Sequence, residues 1–129
     1  MKVLFVITLL LSIAVSCKKI EKEPVGPTDI RVRNLTTLDM SDLTVSTYDS
    51  TYNYGLIQAD SVSDYHRFNR AYPKANIFAF INGQKYKTDT VFYTYMQYLG
   101  TVRATYEVFI ESEALKKLVI HIVMESDLK

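Results

Sequence analysis

Two closing stretches, VRATYEVFIE (Val102–Glu111) and LVIHIVME (Leu118–Glu125), decide the fold. In the first, Val102, Ala104, Tyr106, Val108 and Ile110 alternate with Arg103, Thr105, Glu107, Phe109 and Glu111. In the second, Leu118, Ile120, Ile122 and Met124 alternate with Val119, His121, Val123 and Glu125. A period of two sends successive side chains to opposite faces of an extended chain, so both segments read as strands with one apolar face. Between them, Ser112–Lys117 holds Ala, Leu and Lys, which favour a single helical turn.

Upstream, Ala75–Ile81 is apolar on both faces, with Ile77, Ala79 and Ile81 on one side and Phe78 and Phe80 on the other. That pattern suits a strand inside a sheet or one covered by a loop. Asn82-Gly83 follows, a two-residue hairpin signal because both central residues need positive φ. Gln84–Thr88 is then the returning strand, and residues 91–96 continue it or form another. Earlier, Ile30 and Val32 alternate with Arg31 and Arg33. Leu43, Val45 and Thr47 alternate with Thr44, Ser46 and Tyr48, and residues 61–69 give a third strand with less clean alternation. Asp49–Gly55 reads as polar, turn-rich chain. About seven short strands predict an all-β domain, an antiparallel β-sandwich of immunoglobulin-like or transthyretin-like kind.

Composition agrees with strands. Ten tyrosines and no tryptophan accompany many Thr, Val, Ile and Phe, residues that fit a pleated surface. Basic and acidic residues number 15 and 14, a balance that argues against nucleic acid as partner, since phosphate binding demands a basic stripe. The one cysteine, Cys17, excludes an intramolecular disulfide and a Cys-based zinc site.

The amino terminus has its own pattern. Lys2 is followed by an apolar run from Val3 to Val15, interrupted by Thr8 and Ser12 and ending at Ala14-Val15-Ser16-Cys17. A positive start, a short apolar run and a small residue before the cut describe a secretory signal. The run is too short for a bilayer core, which takes roughly 20 residues. Ala14 to Cys17 resembles a loose bacterial lipobox, which implies cleavage after residue 16 and acylation of Cys17. Two or three acyl chains hold a protein stably where one does not. Residues 17–28 are charged and then broken by Pro24, Gly26 and Pro27, as in a flexible tether. The predicted organisation is therefore a signal peptide over 1–16, a lipidated tether over 17–28, and one sandwich domain over 29–129. The residue after Cys17 is not Asp, which resembles lipoproteins sorted to the outer membrane.

Several short motifs follow in order: Ile30-Arg31-Val32-Arg33-Asn34, Tyr54-Gly55, Tyr65 with Phe68 and Ala71-Tyr72, and Ile81-Asn82-Gly83-Gln84-Lys85-Tyr86. Together with the lipobox they resemble small uncharacterised lipoproteins of the Bacteroidota type. The resemblance spans roughly residues 17–125. It implies a β-sandwich at the cell envelope and transfers no catalytic residue.

Catalytic chemistry has few carriers. His121 faces away from the apolar side of its strand, and His66 sits among Asp64, Arg67 and Arg70 in what reads as a solvated polar strand. Neither has a second His at metal-ligand spacing. Glu111 and Glu113 fall in a turn. No nucleophile elbow, phosphate loop or calcium loop occurs. The chain is thus read as non-enzymatic, without metal or cofactor. Tyr93, Tyr95 and Tyr98, with Tyr48, Tyr52 and Tyr54, form a candidate surface for stacking on a sugar or a protein, against packing within the sheet as the duller reading. Asp49-Ser50-Thr51, Asp60-Ser61-Val62 and Asp89-Thr90-Val91 resemble O-glycosylation tripeptides of such bacteria, with Ser50, Ser61 and Thr90 as acceptors.

The functional expectation is a membrane-anchored envelope module that binds protein or glycan. An assembly subunit pairing through an edge strand comes second, and a small hydrolase or an inhibitor of one third.

Overall fold

A computed structural model describes residues 26–125, so the signal peptide, Cys17 and most of the tether lie outside the described residues. The domain is all-β. Its strands are β1 (Thr28–Asn34), β2 (Ser41–Ser46), β3 (Thr51–Asn53), β4 (His66–Phe68), β5 (Asn76–Ile81), β6 (Gln84–Lys87), β7 (Arg103–Ser112) and β8 (Lys117–Met124). Among the described residues eight strands stand where about seven were expected. One ladder runs through them all in the order β3-β2-β5-β6-β8-β7-β1-β4.

The sheet is mixed rather than wholly antiparallel. β1 lies parallel to β7, with Ile30 opposite Ala104 and Asn34 opposite Val108, and β6 meets β8 in parallel through Lys87 and Lys117 alone. Alternation along one strand cannot report the direction of a neighbour some seventy residues away, which is why the parallel pairing was missed. The two edge strands come back toward each other, so the sheet curls into a nearly closed barrel. Isolated bridges between Arg33 and Val62 and between Met40 and Ile57 help draw it round.

Alternation places the core. Ile30 and Val32 of β1, Ala104, Tyr106 and Val108 of β7, Leu118 of β8, and Ile77, Ala79 and Ile81 of β5 are all buried. Ile120, Ile122 and Met124 pack against this cluster as half-buried neighbours. β5 sits between β2 and β6, with Ile77, Ala79 and Ile81 buried on its inner face and Phe78 and Phe80 half-buried on its outer one. On its outer side Phe78 and Phe80 meet edge-on at 6.3 Å, and the Lys85 ammonium caps Phe78 at 4.4 Å.

Asn82 and Gly83 take φ of 51° and 77° at the β5–β6 turn, and Ile81 pairs with Gln84, as the dipeptide predicts. The link between β7 and β8 is a turn at residues 113–116 instead of a helical turn. Lys116 there adopts φ of 51° and donates its N–H to the Glu113 carbonyl. Residues 91–96 form no strand. Val91 N–H is drawn off by the Asn76 side chain at 2.8 Å and Tyr95 takes φ of 74°, outside the strand region. Asp49–Gly55, expected as turn, contains β3, whose three residues are all exposed and so carry no alternation. Thr28, placed in the tether, belongs to β1. It is fully buried, and its hydroxyl donates to the Gly100 carbonyl.

The residues behind the lipoprotein resemblance turn out to be core and turn positions. Phe68, Ala71 and Tyr72 are buried, as is Tyr86. Gly55 takes φ of 77°, a conformation open to glycine at little cost. Asn34 is fully buried and closes a knot. Its Nδ2 donates to the Leu38 and Ile57 carbonyls at 2.8 and 3.1 Å, and its Oδ1 accepts from the N–H and hydroxyl of Thr36 at 2.9 and 2.7 Å.

Candidate functional site

The tyrosines divide into two groups that sequence order does not reveal. The first gathers Tyr48 from the β2–β3 turn, Tyr72 after β4, and Tyr93 and Tyr98 from the long segment between β6 and β7. Tyr72 lies 4.6 Å from Tyr93 and 5.2 Å from Tyr98, ring centre to ring centre, while Tyr48 meets Tyr93 edge-on at 6.1 Å. Such offset and edge contacts are favourable, about 0.5–1.5 kcal/mol each beyond burial. The Arg70 guanidinium covers Tyr98 at 4.6 Å and Tyr48 at 5.4 Å. Underneath, the buried Tyr106 hydroxyl donates to the Tyr72 carbonyl, and the Tyr93 hydroxyl donates to the Ser46 carbonyl at 3.0 Å. Leu99 N–H to the Ala71 carbonyl at 2.9 Å joins the two loops.

These tyrosines therefore fasten loops to the sheet. Burial pushes the Tyr72 phenol up to about 12, helped by a hydrogen bond with Tyr98. Burial raises Tyr93 and Tyr106 as well, so their hydroxyls stay protonated donors at neutral pH. Of the three tyrosines singled out from sequence, Tyr93 and Tyr98 belong to this group. Tyr95 stands apart, fully exposed at 102%. Tyr93→Ala is expected to cost about 1–3 kcal/mol, the range for losing packing and a hydrogen bond. Tyr95→Ala should stay within about 0.5 kcal/mol. Urea unfolding of the two variants measures the difference, and equal losses would refute the division.

The second group closes the barrel. Tyr52 of β3 stacks flat on His66 of β4, with centroids 3.6 Å apart and planes 12° apart. Tyr54 meets Tyr52 edge-on at 4.8 Å and donates its hydroxyl to the Ile30 carbonyl at 2.7 Å. Burial is the main cause raising the Tyr54 phenol, with Tyr106 and Tyr52 adding to it. His66 is thus not part of a solvated polar strand. Burial lowers its pKa, against a weaker upward pull from Asp29.

Beside this group lies an open cleft of about 310 Å³, lined by Tyr52, Tyr54, Leu56, Val62, Ser63, Asp64 and Tyr65. Asp64 is exposed. Ser63 is committed to the frame, accepting from Val32 N–H and donating to the Asp64 carbonyl, both at 2.9 Å. The Tyr65 ring lies against two guanidiniums, Arg31 at 5.1 Å and Arg103 at 5.2 Å. Arg31 is aimed by a 2.9 Å hydrogen bond from its Nε to Thr105 Oγ1. Asp29 takes a two-pronged contact from Arg67 at 2.9 and 3.2 Å. That contact, before all else, holds its carboxyl below the usual range. Sequence reasoning singled out Tyr52 and Tyr54 but left Tyr65 and Asp64 unassigned as ligand contacts. No local pattern could have assigned them, because residues 63–65 form neither strand nor turn.

His121 is exposed, 3.3 Å from Glu107. Glu111 pairs with Lys117 at 3.2 Å while Glu113 is exposed in the turn. Among the three glycosylation-like tripeptides, Thr90 is exposed, whereas Ser50 and Ser61 are half-buried. No group of three or more His, Cys, Asp or Glu among the described residues could hold a metal ion. No helix among them is long and apolar enough to cross a membrane.

No protein-family model matches this chain, and no curated protein matches it. Among solved structures it is similar to the NMR structure of a protein from Eubacterium rectale, at 18% identity and a TM-score of 0.47, over 74% of this chain and 88% of that one.

Proposed function

We propose that the protein is a non-enzymatic, lipid-anchored module of the bacterial cell envelope, held at the outer membrane through acylated Cys17, whose domain binds a glycan. The observation that carries the binding half is the open cleft walled by Tyr52, Tyr54 and Tyr65 with Asp64 at its edge. The exposed lining of the cleft is mostly polar, suited to sugar hydroxyls, and the exposed Asp64 carboxylate accepts from them. The anchor rests on the amino-terminal pattern, and the likeness to Bacteroidota-type lipoproteins is part of the same reading. As to finer architecture, the reading is that this barrel-like sheet is flattened into a sandwich of immunoglobulin-like or transthyretin-like kind. Its halves would be β3-β2-β5-β6 and β8-β7-β1-β4, joined where Lys87 meets Lys117.

The full chain applied to an array of neutral oligosaccharides is expected to retain a subset of them. Tyr52→Ala and Asp64→Asn should each weaken retention about tenfold, the equivalent of roughly 1.4 kcal/mol, while Tyr95→Ala leaves it unchanged. Retention insensitive to both cleft variants, or binding to a protein alone, overturns the glycan reading. Intact mass checks the anchor: the mature wild type carries acyl chains and Cys17→Ser does not. A second reading, an assembly subunit joined through a sheet edge, is favoured by the open side of β8.

A further inference from the structure

The hydrogen-bonding direction of β8 can be followed from its neighbours. Asp29 N–H donates to the Val102 carbonyl and Leu35 N–H to the Val108 carbonyl, so the even-numbered residues 104, 106 and 108 of β7 turn their peptide groups to β1. The odd-numbered ones then face β8, where Thr105, Glu107 and Phe109 pair with Val123, His121 and Val119. Ile120, Ile122 and Met124 therefore point N–H and C=O away from β7. β6 meets β8 only at Lys117, where Lys87 N–H reaches the Lys116 carbonyl at 3.1 Å. Beyond that contact no described residue pairs with the outer side of β8.

Sheet edges are ordinarily guarded by proline, bulges, inward charges or short length. This one has no proline and runs through the β-branched sequence Val119-Ile120-His121-Ile122-Val123. A cleft of about 280 Å³, bordered by Val91, Phe92, Met96, Leu118 and Ile120, opens beside its first half. From Val119 to Met124 this side of β8 has no strand partner among the described residues.

The strand is also self-complementary. Leu118–Met124 reads the same in either direction apart from the exchange of Leu and Met at its ends, with Lys117 before it and Glu125 after it. We infer that the partner of this edge is a second copy of the chain, its β8 antiparallel and centred on His121. Ile120 then faces Ile122 of the other copy, both with outward peptide groups, so the two exchange hydrogen bonds across a twofold axis. The pairing covers Val119–Val123 and stops short of Lys117, whose outer side is taken by Lys87 and whose ammonium is held by Asp89 and Glu111. Core-side residues meet core-side residues, and the two apolar faces become continuous. The inference deepens the assembly reading by naming its partner and is independent of the glycan cleft.

The exposed face of β8 permits a test that leaves the core intact. In the proposed register His121 faces His121 as a non-hydrogen-bonded pair with Cβ atoms about 4.5–5.5 Å apart, close to disulfide range. Val119 faces Val123, so like residues at those positions are separated by about 13 Å along the strand. Under copper-phenanthroline oxidation of the full chain in its membrane, His121→Cys is expected to move most of the protein to dimer mass. Val119→Cys and Val123→Cys alone should give little dimer, and their co-expression should restore it; wild type controls for Cys17. No dimer at His121→Cys, or equal dimer at all three positions, overturns the inference. A photoreactive benzophenone residue at 121 separates the two failures. Adducts only with a different protein overturn self-pairing and keep the edge as an assembly surface, and no adduct overturns both.

Discussion

Tyr106→Ala is expected to remove about 3–5 kcal/mol, the range for truncating a buried aromatic, from a domain whose whole stability is on the order of 5–15 kcal/mol. Tyr106 is the largest fully buried side chain and sits in β7, at the centre of the β8-β7-β1 ladder. Truncation leaves a cavity that rigid strands on both sides cannot close, and it also frees the Tyr72 carbonyl from its donor. Tyr106→Phe keeps the ring and isolates the second loss, expected at about 1–3 kcal/mol for an unsatisfied buried acceptor. Urea titration gives both numbers. A Tyr106→Ala midpoint within error of Tyr106→Phe would show that the ring contributes little, against the packing described above.

Asn34→Asp, a change of one atom pair, is expected to cost about 3–5 kcal/mol at neutral pH, the range for a buried charge left without its partner. The asparagine amide donates to two carbonyls and its oxygen accepts twice from Thr36. An aspartate turns the donating end into a second acceptor aimed at carbonyl oxygens, at a fully buried position. Such a carboxyl has a raised folded pKa, so the unfolded chain gives up its proton first as pH rises. The variant therefore loses stability with rising pH above the ordinary carboxylate range and approaches wild type in acid. Thermal or urea unfolding across pH shows this narrowing; a constant gap would mean that charge is not the cause.

Both positions lay in segments whose strand character is legible, yet their roles were not. Alternation identified β7 and β8, and Asn82-Gly83 identified the β5–β6 hairpin, because each signal is local. β3 escaped notice because Thr51, Tyr52 and Asn53 are all exposed on an edge. Residues 91–96 were overread because Val, Phe, Tyr and Thr favour strands whatever their partners, and here the partners were a side-chain amide and a neighbouring loop. The tyrosine groupings depend on which loops meet at the ends of the barrel, and only the assembled sheet determines that. For the same reason Asn34 reads in sequence as the last residue of a strand, and its four side-chain contacts come from residues 36, 38 and 57.

The parallel seat of β1 against β7 has a temporal consequence. Ile30 and Ala104 are neighbours in the finished sheet, so the first described strand waits for the seventh. Until then its buried side lacks a floor, and closing so long a loop comes before any reward from pairing. A chain laid out in this way consolidates late, once strands from both ends of the domain are present.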